Sequence, residues 1–128
     1  MKQIENRDDV QLLVHRFYDK VRANPEIGSF FNETITDWSH HLEKLTDFWE
    51  SNLLYAGSYR GRPGRTHIEV DYKYNHQIEA KHFGVWLNLW VNTLDEYFEG
   101  ELAERAKFNA RNMATNFQMK IFMARPKQ

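Results

Sequence analysis

Four stretches of this chain carry apolar side chains at helical spacing, whereas only one alternates as a strand would, and a lone strand has nothing to pair with. The first stretch places Val10, Leu13, Val14, Phe17 and Val21 on one face, with Tyr18 one turn beyond Val14. The second reads Trp38, Leu42, Leu45, Trp49 and Leu53, with His41 on the same face and His40 rotated about 100° away. The third carries Ile78, His82, Val85, Trp86, Leu89, Thr93 and Tyr97 on adjoining stripes. The fourth carries Leu102, Ala106, Ala110, Met113, Phe117 and Ile121. The expected class is all-α, with five or six helices.

Punctuation fits that class. Asn6 is placed to cap the first helix, and Asp8 and Asp9 suit its positive end. Asn24-Pro25 stops it and can open a short helix through Phe31, since proline suits a first turn. Thr36 is a candidate cap for the next long helix and Asn75 for the one after, while Gly100 separates the last two. Residues 55–65, rich in glycine and arginine, read as a loop. The alternating run from His67 to Tyr74 reads as an extended or loosely coiled connector.

At 128 residues the chain fits one domain, 1–128, large enough to bury a core without cross-links. With no cysteine, it has no disulfides, zinc thiolates, thiolate-ligated haem or cysteine nucleophile. Seventeen basic residues against eighteen acidic ones leave no basic excess for nucleic acid. No apolar run approaches a membrane span, and the start MKQIENRDD is no signal peptide, so the expectation is a cytoplasmic protein with no membrane partner. The nineteen Phe, Tyr and Trp residues are enough to wall a cavity as well as fill a core.

Tyr18, His41 and Trp86 each put a hydrogen-bonding head on or beside an apolar face. Any one alone reads as a satisfied core group; three on different helices could meet in one pocket. His67 stands outside the long helices, after the turn at Gly61-Arg62-Pro63-Gly64, and imidazole is a common ligand of metals and haem iron. The chain lacks a His-Glu-x-x-His motif, paired Glu-x-x-His motifs, an EF-hand loop and a nucleophile-elbow serine. The side chains of His40 and His41 diverge on a helix and cannot readily chelate one ion.

Several blocks carry a family resemblance. Phe17-Tyr18-Asp19-Lys20-Val21-Arg22, Asp37-Trp38-Ser39-His40-His41 through Thr46-Asp47-Phe48-Trp49, the run from His82 to Trp90, and Ala110-Arg111-Asn112-Met113-Ala114 resemble blocks of the group III truncated haemoglobins, in the same order. The likeness spans residues 5 to 122, and the chain has no Gly-Gly pair, in keeping with a group that dispenses with the glycine motifs of the other two.

The resemblance implies a two-over-two helical sandwich holding haem b. His67 matches the proximal histidine that ligates the iron. Tyr18, His41 and Trp86 match the distal ligand pocket, Leu45 and Phe48 the haem-facing side of the distal helix, and Phe31 one edge. Arg65 and Tyr59 are placed near His67 to meet the propionates. Between His67 and His82 the family often shows prolines, where this chain has the Val70–Tyr74 alternation, and His76 and His82 remain alternative proximal ligands. The implied ligands are O₂, NO and CO, with an electron donor as partner and NO dioxygenase-like or peroxidase-like turnover as possible chemistry. A haem-free helical interaction module is the alternative from a different class.

Overall fold

The computed structural model describes residues 1–55 and 79–124. Among these lie five helices: α1 (Arg7–Ala23), α2 (Gly28–Asn32), α3 (Trp38–Leu54), α4 (Ala80–Tyr97) and α5 (Glu101–Ala124). Described strand pairing is limited to one isolated bridge between Lys2 and Phe98.

The caps show how local chemistry sets each start. Asn6 Oδ1 accepts the Asp9 backbone N–H at 3.1 Å, as the sequence suggests. After α1, Asn24 Oδ1 accepts the N–H groups of Glu26 and Ile27 at 2.8 and 3.2 Å, which turns the chain. The short helix therefore begins at Gly28 rather than at Pro25. A Cβ on Gly28 would come within 2.8 Å of the Arg22 carbonyl oxygen, so glycine is what lets α2 sit against the end of α1. The cap of α3 is Asp37, whose Oδ1 accepts the His40 N–H at 3.1 Å, and not Thr36 one residue earlier. Both residue types can cap; Asp37 is the one whose side chain reaches back to the third helical N–H. The long helix starts at Ala80 behind Glu79. Asn75, the expected cap, lies outside the described residues, as do Ile78 and the connector from His67.

The architecture is a two-over-two sandwich. Helix α1 pairs with α3 and α4 pairs with α5, while α1 also packs on α4 and α3 meets α5. At the centre Trp90 is fully buried. Its ring stacks on Trp49 at 4.5 Å between centroids, takes Phe17 edge-on at 4.9 Å, and its Nε1–H donates to the Ala106 carbonyl at 3.1 Å. Ala103, Ala106, Ala110 and Ala114 form the buried small-residue stripe of α5, which leaves room for the indoles of α3 and α4. On α4 the buried stripe is Phe83, Trp86, Trp90, Thr93 and Leu94; Val85 and Leu89, placed on it by periodicity, are only half-buried.

The N-terminal segment packs beside the end of α4. Lys2 lies beside Phe98, and its carbonyl accepts the Glu99 N–H at 3.0 Å. Its ammonium sits 2.8 Å from both carboxylate oxygens of Asp9. No described helix is long and apolar enough to cross a membrane.

Candidate functional site

The C-terminal half of α1, α2 and the first turns of α3 bring together most of the residues singled out on the distal side. Tyr18 is buried on α1 because it falls one turn after Val14 on the core face. His41 stands on the first turns of α3, half-buried, with its ring perpendicular to Tyr18 and 5.9 Å away between centroids. Trp38, one turn before His41, meets both: 5.9 Å from Tyr18 and 5.5 Å from His41. Phe31 of α2 lies 6.0 Å from Tyr18, edge-on. Phe17 links this group to α4, touching Tyr18 at 4.8 Å and Trp86 at 5.7 Å. Tyr18, His41 and Trp86, on three helices, thus share one aromatic cluster.

Its polar heads are in an unusual condition. Burial pushes the Tyr18 phenol far above the ordinary tyrosine range, so it is a neutral O–H donor at any physiological pH, while the Trp86 indole N–H pulls weakly the other way. That indole N–H bears on the phenol without reaching hydrogen-bond geometry. Trp86 Nε1 is buried and has no hydrogen-bond partner among the described residues. A buried donor left unpaired costs about 1–3 kcal/mol.

Farther along α3, Leu45 and Phe48 follow His41 at spacings of four and three, and all three are half-buried. Thr46, Trp49 and Leu53 take the core side of the helix instead. His82 stands at the start of α4. Its Nδ1 accepts the Glu79 backbone N–H at 2.8 Å, and its ring lies 4.9 Å from Phe30. Burial, with Lys81 adding to it, lowers its pKa, which suits an imidazole that must stay unprotonated at Nδ1 to act as acceptor. His67, Tyr59, Arg65 and His76 lie outside the described residues.

The sequence reading missed Trp38 as a member of the cluster, and with it Arg22 and Asn32. The Arg22 guanidinium lies 4.4 Å over the Trp38 ring. Its Nε–H donates to Asn32 Oδ1 at 3.0 Å, and Asn32 Nδ2 returns a bond to the Arg22 carbonyl at 2.9 Å. A signal existed: Arg22 stands four residues after Tyr18, and Trp38 three before His41, so both pairs share a helix face.

No family model matches the chain. A curated relative, the group 3 truncated hemoglobin ctb of Campylobacter jejuni, is 27% identical over 121 residues, covering 91% of each chain. A crystal structure of a group III truncated hemoglobin from Campylobacter jejuni superposes with a TM-score of 0.84 at 27% identity, covering 99% of this chain and all of the other. The chain is similar to group III truncated haemoglobins in both sequence and fold. Its two-over-two sandwich is a truncated-globin fold. The likenesses support a haem protein of the globin family. The Trp86 N–H, without a hydrogen-bond partner among the described residues, and the neutral Tyr18 hydroxyl are two buried donors in one cluster.

Proposed function

We propose that this chain is a cytoplasmic haem-b protein that reversibly binds O₂ and related diatomic ligands, NO and CO, under the donors of Tyr18, His41 and Trp86, with His67 as the iron's protein ligand. The observation that carries the reading is the buried Trp86 N–H, without a hydrogen-bond partner among the described residues, beside the buried Tyr18 hydroxyl, in a fold shared with truncated haemoglobins. The donor set fits the group: a neutral phenol, an indole N–H and an imidazole are polar without adding fixed negative charge against a porphyrin face. Leu45, Phe48 and Phe31 supply apolar surface beside them, and Arg65 and Tyr59 are assigned to the propionates.

Haem iron, when bound, supplies an open coordination position for a diatomic molecule. The chain's own residues decide which molecule stays. A buried Tyr18 O–H and a buried Trp86 N–H would stabilise a ligand that carries partial negative charge, and favour O₂ over CO. His41 is close enough to Tyr18 to orient the phenol or to donate in its place. Such donors hold O₂ too firmly for easy delivery, which favours sensing or redox work on O₂, NO or peroxide over transport. That work needs an external electron donor.

Hemin titration of the purified chain tests the reading. Stoichiometric uptake with an intense Soret band is expected. A folded chain that stays colourless would remove it and leave the haem-free interaction module.

A further inference from the structure

We infer that Trp38 is the gate through which ligands enter the site under Tyr18 and His41, and that Arg22 and Asn32 are its latch; this rests on the proposed haem-ligand function. Exposure increases stepwise along one line of contacts: Tyr18 is buried, Trp38 half-buried and Arg22 exposed. Trp38 packs against both Tyr18 and His41 on its inner side. Its other neighbour is the Arg22 guanidinium, 4.4 Å from the ring centroid. A cation over an indole face is attracted to the ring's quadrupole and restrains the ring.

The latch is itself held. Arg22 Nε donates to Asn32 Oδ1 and Asn32 Nδ2 donates to the Arg22 carbonyl, so side chain and backbone of one residue are gripped by one amide. These two bonds tie the end of α1 to the end of α2 directly in front of the first residue of α3. A surface cleft of about 380 Å³, lined by Asp19, Arg22, Ala23 and Asn32, lies on the outer side of this clamp. Trp38 is thus set between the exposed Arg22, which lines that cleft, and the buried Tyr18 phenol.

A gate differs from a binding contact in what it changes. It alters entry and exit by the same factor and leaves the equilibrium alone, whereas a donor such as Tyr18 alters O₂ affinity and hardly touches CO. The test uses the hemin-loaded full chain, Arg22→Met, which keeps an apolar stem but removes the cation, and Asn32→Ala, which removes the grip. Flash photolysis and ligand replacement should show CO association and CO release both faster by about 2- to 5-fold in each variant, with the CO dissociation constant unchanged. Oxidative footprinting read by mass spectrometry should show Trp38 more reactive in both variants, a readout that depends on solvent access rather than on any turnover. Trp38 is the tryptophan suited to this, because Trp49, Trp86 and Trp90 are buried. Unchanged CO rates in both variants, or a change in O₂ affinity without a change in CO rates, would overturn the gate while leaving the proposed function standing. A wild-type chain that takes up no hemin would sink the proposed function and the gate together.

Discussion

The rings of Tyr18 and His41 meet at 87° with centroids 5.9 Å apart, although 22 residues of chain, including a turn and a short helix, separate them. The contact exists because Tyr18 follows the core face of α1 round by one turn while His41 stands on the first turns of α3, directly across the α1–α3 pairing. Two groups able to donate a hydrogen bond therefore approach one space from two helices, with the Trp86 N–H in the same cluster.

Tyr18→Phe removes the hydroxyl and keeps the ring that packs against Phe17, Phe31 and Trp38. A hydrogen bond to a ligand carrying partial negative charge is worth about 1.5–3 kcal/mol, so O₂ release should accelerate by roughly one to two orders of magnitude. CO release should change much less. His41 and Trp86 can take over part of the role, and Tyr18→Phe combined with His41→Leu or Trp86→Phe should expose the remainder. Stopped-flow release of both gases checks it; equal acceleration of O₂ and CO would make Tyr18 a steric element instead.

Much of this geometry was legible in the sequence. Period-3.6 spacing put Tyr18 on the buried side of α1 and His41 on the same face as Leu45, and the block order pointed to the truncated-globin arrangement. Other parts were not legible for physical reasons. Thr36 and Asp37 are both competent caps, and only the path of the chain from α2 decides between them. On α4, Phe83, Trp90 and Leu94 outrank Val85 and Leu89 because the partner stripe of α5 is alanine, and large rings fill the space small residues leave. The Arg22–Trp38 stack joins two helices across a gap of sixteen positions; helical spacing marks the face each residue shares with Tyr18 or His41, but not that the two meet.

Asp9 should make stability pH-dependent at the acid end. Burial opposes its ionisation, yet the Lys2 ammonium and the backbone N–H groups of Glu5 and Asn6 together outweigh that and lower its pKa. A carboxylate whose folded pKa is depressed stabilises the fold fully above its unfolded value, near 3.9, and that contribution fades as pH falls through the lower folded value. Asp9→Asn should therefore lower the melting temperature by a few degrees at pH 7, for a loss of about 1 kcal/mol, and the difference should shrink as pH falls below the unfolded value. Thermal unfolding of both proteins across that range checks the sign.

Trp90 should be the least replaceable ring of the core. Truncation to alanine removes the stack on Trp49, the edge contact with Phe17 and the bond to the Ala106 carbonyl, and leaves a cavity. The expected cost is about 3–5 kcal/mol, a large share of the 5–15 kcal/mol typical of a domain. Trp90→Phe should cost less, because a ring still fills most of the space. Denaturant unfolding of the two variants ranks them, and similar midpoints would mean that α5 collapses onto the gap.

The proximal assignment can be tested by separating three histidines. His82 has its Nδ1 committed to the Glu79 N–H at the start of α4, and losing that bond would unravel a helix start rather than merely remove a ligand. Its Nε2 remains, so chemistry alone does not disqualify it, but ligation there would draw on a side chain already fixed by Phe30. The family resemblance assigns the ligand to His67. His67→Gly should therefore weaken hemin retention and alter the ferrous spectrum, and free imidazole should restore it by occupying the vacated position. His82→Ala should lower thermal stability by about 1 kcal/mol through the lost cap while leaving the spectrum unchanged. His76→Gly should change neither. A spectrum that survives His67→Gly but fails in His76→Gly or His82→Ala would move the iron's ligand to that residue, and with it the path of the chain between α3 and α4.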